Sequence, residues 1–166
     1  MLTSNSKQAD AEMQHIEDAV KHHDVTALKE LFSKTARAKA NDLDGGIKNF
    51  LSFFPAGFKS LGEPAGAPNE TDESDYGKRT VELLAVYKVR ADGKNYDVFF
   101  ADFSVNQDDD PNNVGLYALG VAPFNSNAYV HPSASSEAFD AWTSQFDIVD
   151  HKATGTPSVY VYSPQK

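Results

Sequence analysis

Residues 79–104 read RTVELLAVYKVRADGKNYDVFFADFS, two apolar-rich runs on either side of Ala91-Asp92-Gly93-Lys94. Asp-Gly suits a two-residue type I′ hairpin turn, because both central positions need positive φ and these two residues tolerate it. Centring the hairpin on Asp92-Gly93 places Arg90 opposite Asn95, Lys88 opposite Asp97, Val86 opposite Phe99 and Leu84 opposite Ala101. The alternate pairs are Val89 with Tyr96, Tyr87 with Val98, Ala85 with Phe100 and Leu83 with Asp102. This register puts opposite charges together at Lys88 and Asp97 and gathers apolar partners on the other face. A slip of one residue would mix the two faces.

Both faces of this hairpin are apolar for much of their length. One carries Val81, Leu83, Ala85, Tyr87, Val89, Tyr96, Val98 and Phe100, with Asp102 and Ser104 as polar exceptions. The other is charged near the turn and apolar further along, at Leu84, Val86, Phe99 and Phe103. An antiparallel sheet can leave one face to solvent, but burying four such side chains is worth ~6–10 kcal/mol, so each face needs a cover.

Helical patterns upstream supply the first cover. Residues 6–23 repeat Ala9, Met13, Ile16 and Val20 at helical spacing, and Asp24 can cap a second helix that buries Leu28, Leu31 and Phe32. A third pattern over 42–54 aligns Leu43, Ile47, Phe50, Leu51 and Phe54. Its Gly45-Gly46 pair costs ~2 kcal/mol against alanine, so tertiary packing has to hold that turn. Downstream, Ser135 or Ser136 can cap a short helix with Phe139, Trp142 and Phe146 on one side, and 159–162 read as a final strand. That segment is the expected cover for the second face, with a second subunit as the other option. A further strand is expected over 114–122 and a shorter one near 57–61, while 62–75 read as a loop by composition. The fold class that follows is α+β: three N-terminal helices packed on a curved antiparallel sheet of about four strands, a cone or roll, with a C-terminal helix-plus-strand extension. The expected organisation is a polar tail over 1–8, the main domain over 9–122 and an extension over 123–166 packed on it.

Composition excludes several classes of function. Fifteen basic against twenty-four acidic residues leave a net charge of −9, which repels nucleic acid and anionic lipid. With no cysteine, thiol nucleophiles, zinc ribbons and disulfides are absent. No Gly-x-Ser-x-Gly elbow or phosphate-cradling glycine loop occurs. No cofactor and no metal is implied. The acidic run 108–113 lacks the spaced ligands of a calcium loop and reads as a solvated turn. His15, Asp18 and His22 share one side of the first helix at a spacing that can serve a metal, but they read as a solvent-facing flank.

Asp102 carries the most interesting chemistry. An acid on an apolar face has its ionised form disfavoured, and a raised pKa suits proton shuttling. Tyr87, Tyr96 and Tyr117 are candidate hydrogen-bond donors beside it, and with Ser104 these residues make up the candidate ligand pocket. The catalytic alternative uses Asp102 as acid–base and Tyr87 as donor.

Helices followed by such a sheet resemble the nuclear-transport-factor-like superfamily, which includes ketosteroid isomerase and scytalone dehydratase. Three stretches, residues 40–47 (ANDLDGGI), 74–80 (SDYGKRT) and 112–117 (NNVGLY), are similar to a family of Gram-positive surface lipoproteins known only as a domain of unknown function. The resemblance spans roughly residues 10–122. It implies an extracellular, cell-surface protein held by a lipid that this cysteine-free chain does not itself carry. The expectation is a non-catalytic module for a small molecule or a protein ligand, a monomer or a sheet-mediated homodimer. An isomerase or dehydratase built on Asp102 is the alternative.

Overall fold

The structure is a computed structural model, and it describes residues 4–61, 69–75, 77–106, 111–124, 134–149 and 152–163. Helices α1 (Ser4–Lys21), α2 (Val25–Leu31), α3 (Lys34–Lys39) and α4 (Leu43–Phe53) come first. They lead into β1 (Lys59–Ser60), β2 (Asn69–Asp75), β3 (Lys78–Ala91), β4 (Lys94–Asn106) and β5 (Gly115–Pro123). Then follow α5 (Ala134–Thr143), β6 (Ile148–Val149), β7 (Lys152–Ala153) and β8 (Ser158–Val161).

The hairpin adopts the expected register through all eight expected pairs, from Arg90–Asn95 to Leu83–Asp102. Asp92 and Gly93 both have positive φ, 50° and 74°, as a type I′ turn demands. Lys88 stands opposite Asp97, and its ammonium lies 4.0 Å from the centre of the Phe124 ring. Two bulges interrupt the ladders further from the turn. One lies between Val81 and Glu82 against β4, the other between Ala101 and Asp102 against β5.

The starts of α2, α3 and α4 are each fixed by a short polar side chain. Asp24 accepts a hydrogen bond from the Ala27 amide at 3.0 Å, and Asp42 one from the Gly45 amide at 3.1 Å. Ser33 caps α3 in the same way, through the Ala36 amide at 3.0 Å. Helix α3 escapes a periodicity search because its six residues bury only Ala36. Gly46 is explained by packing, since a Cβ there would fall 2.9 Å from the Val159 Cβ on β8. The glycine pair weakens the helix and in return lets the last strand lie against it.

Two expectations need correction. Of the segment expected as a polar tail, residues 4–8 instead belong to α1, and Ala9 is already fully buried. Residues 69–75 are not loop but β2, paired antiparallel with β3 from Asn69–Leu84 to Asp75–Lys78. Main-chain hydrogen bonds hold such an edge strand, so its polar composition does not reveal it. The α+β class is as expected, with short strands added at the edges of the antiparallel sheet. Among the described residues the sheet has six strands, in the order β1-β3-β4-β5-β8 with β2 also on β3, and β8 runs parallel to β5.

The core follows from the two-faced hairpin. Met13, Ile16, Leu28, Ile47, Phe50 and Phe54 of the helical layer are buried together with Leu83, Tyr87, Val98 and Phe100. On the opposite face the Phe99 ring lies 5.5 Å from Trp142 and 6.2 Å from Phe146, and Trp142 also meets Phe139 and Tyr160. The C-terminal segment is thus the second cover, and Trp142 donates its indole proton to Ser158 Oγ at 2.9 Å. Gly120 makes room for this ring, since a Cβ there would sit 2.6 Å from Trp142 Cζ3. Gly120→Ala should therefore destabilise the chain by ~1–3 kcal/mol. Urea unfolding followed by the emission of the single tryptophan checks this. Unchanged stability and emission would remove Trp142 from that face.

Candidate functional site

Asp102 sits on the helix-facing side of β4 and is 8% exposed. Burial raises its pKa to about 6. Glu12 of α1 approaches it from the helical layer, and burial together with the negative charge of Asp102 raises Glu12 to about 8. Glu12 Oε1 is buried with no hydrogen-bond partner. Two acids therefore face each other across the helix–sheet interface, and Asp102 ionises first.

The tyrosines do not join them. Tyr87 is buried, stacks on Phe100 with ring centres 6.1 Å apart, and donates its hydroxyl to Asp10 Oδ1 at 2.6 Å. Burial first, then the hydrogen bond and charge of Asp10, push the Tyr87 hydroxyl pKa far up. Tyr87 pairs with Val98, four residues along β4 from Asp102, a separation of ~13 Å at strand rise. Tyr96 lies still further away, packed edge-on against Phe53 and Phe54. Tyr117 is on the other face. The bulge that pairs Ala101 with Ala118 but Asp102 with Leu116 leaves it without a ladder partner. It meets Phe103 and Phe146 there and donates its hydroxyl to the Gly155 carbonyl at 3.0 Å. Ser104 falls in the bulge opposite Val81 and Glu82 and is half-buried. The five candidate pocket residues thus occupy separate places, and the interior between them is filled by Leu83, Val98, Phe100 and Leu119.

Concavities occur instead on the flanks of α1. A cleft of about 540 Å³ between α1 and α2 is lined by His15, Asp18, His22, Asp24 and Glu30, among others. Asp18 is held by Gln14 Nε2 at 3.0 Å, and the His22 ring nitrogen Nδ1 lies 2.8 Å from the Asp18 carbonyl, to which it can donate. No group of three or more metal-ligating side chains comes together among the described residues. On the other flank, a pocket of about 350 Å³ is lined by Asp10, Met13, Gln14 and Glu17 of α1, Lys59 and Ser60 of β1, and Tyr87. The sequence marked only Tyr87 here. The α1 residues stand at i, i+3, i+4 and i+7, one helical stripe, but nothing local says that β1 lies beside it. Of the acidic run 108–113, residues 108–110 lie outside the described residues, as do His131 and His151, and Pro111–Asn113 form a single 3-10 turn.

With this geometry in place, residues 15–125 match a family model described as Domain of unknown function (DUF5104). The chain belongs to this family. No curated protein and no solved structure matches it. The DUF5104 match runs from within α1 to just past β5. Asp10, α5 and β8 fall outside it.

Two more acids lie under the C-terminal cover of this DUF5104 chain. Glu82 is 1% exposed, and neither carboxylate oxygen has a hydrogen-bond partner. Burial and the negative charge of Asp147 raise its pKa to about 7. Asp97 is raised to about 6, by burial and by Asp140, with Lys88 opposing. All four carboxyls bind protons more tightly in the folded chain than in the unfolded one. Their contribution to stability is full below the ordinary carboxylate pKa and is lost as pH rises through about 6 for Asp97 and Asp102, 7 for Glu82 and 8 for Glu12. Urea stability should therefore fall by several kcal/mol between about pH 5 and pH 8. Glu82→Gln should flatten that fall near neutrality. A chain equally stable at both pH values would contradict the buried acids.

Proposed function

We propose that this DUF5104 chain is a non-catalytic binding module on the outer surface of a Gram-positive cell, taking a small ligand at its surface rather than in its interior. The observation that carries the reading is the placement of Asp102. It feels the charge of Glu12 across a filled interior, and none of the tyrosines expected beside it, Tyr87, Tyr96 and Tyr117, is placed there. An isomerase or dehydratase needs an acid–base group and a donor converging on space for a substrate. Here buried Leu83, Val98 and Phe100 fill the sheet face around the acid, and the expected donor, Tyr87, is committed to Asp10. Buried, unpartnered carboxyls are also compatible with a structural cost that the fold tolerates. The surface location is part of the proposal and rests on the resemblance of residues 40–47, 74–80 and 112–117 to surface lipoproteins, and the net charge of −9 suits a module that stays clear of anionic lipid.

The test is an NMR screen of the intact chain against mixtures of small metabolites. Compounds showing saturation transfer should remain chemically unchanged, and Asp102→Asn should bind them as the parent chain does. A product that accumulates with the parent chain and not with Asp102→Asn would overturn the reading in favour of the enzyme. Limited proteolysis of intact cells checks the location: the domain should be cleaved without lysis.

A further inference from the structure

We infer that the pocket between α1 and β1 binds a small zwitterion, an α-amino acid or the like, with its ammonium toward Asp10 and Glu17 and its carboxylate toward Lys59. This inference rests on the binding-module reading and names the ligand class and site. The pocket brings charges of both signs to one concavity: two carboxylates from the α1 stripe and one ammonium from β1. Among the described residues no ion pair joins Lys59 to Asp10 or Glu17, although all three line the same pocket. Both signs therefore remain available to a ligand that carries both.

Asp10 is also held in place. The Tyr87 hydroxyl donates to its Oδ1 at 2.6 Å from a ring that is 1% exposed and stacked on Phe100. A carboxylate fixed by a buried donor loses little freedom on binding, and an acceptor oriented in advance strengthens a charge-assisted hydrogen bond. Met13 and Tyr87 form the floor of the pocket, both almost wholly covered, so the surface open to a ligand is mainly the polar stripe. The volume, about 350 Å³, fits a compact molecule and lies at the small end of ligand pockets. Two acids against one base disfavour a simple anion, and Lys59 disfavours a simple cation. A zwitterion satisfies both.

The experiment follows amide resonances of the intact chain during titration with L-leucine, leucinamide, N-acetyl-leucine and acetate. L-leucine should shift resonances of residues 10–17, 59–60 and 87, with saturation. Leucinamide lacks the carboxylate and N-acetyl-leucine the ammonium, so each should bind about tenfold more weakly, the loss of one charge-assisted contact. Acetate should not bind. Lys59→Met replaces an exposed side chain and should weaken L-leucine about tenfold while leaving leucinamide unchanged. Glu17→Gln should weaken both, and Tyr87→Phe should weaken L-leucine by releasing Asp10. Absence of shifts at millimolar L-leucine, shifts centred on the α1–α2 cleft, or N-acetyl-leucine binding as well as L-leucine would overturn the inference while leaving the binding-module reading intact. Chemical conversion of bound leucine would instead overturn the non-catalytic reading and leave the site standing.

Discussion

The β3–β4 hairpin has two apolar faces, and most of the architecture answers the need to bury both. A half-buried antiparallel sheet would need one layer of helices and nothing more. Here Phe99 and Phe103 stand on the side away from the helices, and both are nearly inaccessible to water. Past β5 the chain supplies helix α5, carrying Phe139 and Trp142, with Phe146 just beyond its end, and then returns β8 to the sheet edge parallel to β5. The return strand reaches α4 through Val159, where Gly46 leaves the space. The side chains of the hairpin thus account for where α5 and β8 lie.

Acids buried at these interfaces set the electrostatic character of the fold. Glu12 and Asp102 repel each other between α1 and the sheet, while beneath the C-terminal cover Glu82 feels the charge of exposed Asp147 and Asp97 that of exposed Asp140, with Lys88 opposing. Burial is the larger cause at each raised acid, and the neighbouring carboxylates add to it. The resulting folded state takes up protons, and its stability is tied to pH in the range where exposed carboxylates are indifferent. Arg79 and Asp72 show the contrast: they pair at the surface at 2.7 Å, and the Asp72 pKa is lowered, first by that hydrogen bond.

A filled interior also moves function to the surface. The helices close on the sheet with Met13, Ile16 and Phe50 buried together with Val98 and Phe100, and concave surface is found on the flanks of α1. Helix α1 serves both sides. Its buried stripe joins the core, and the neighbouring stripe of Asp10, Gln14 and Glu17 lines a pocket with β1.

The sequence by itself determined what depends on neighbours along the chain. Asp92-Gly93 sets the turn because of the positive φ it requires, and with it the register and the two faces as far as Leu83–Asp102. Asp24 and Asp42 mark helix starts because a short acid satisfies free amides. Tertiary structure decided the rest. Strand β2 exists because main-chain groups of β3 were available to pair, which polar side chains cannot announce. A single bulge between Ala101 and Asp102 turned Tyr117 away from the acid it was expected to serve. Asp102 meets Glu12, and Tyr87 meets Asp10, across sequence separations of 90 and 77 residues. Such meetings depend on how a helix crosses a sheet, a property of packing that no local pattern encodes.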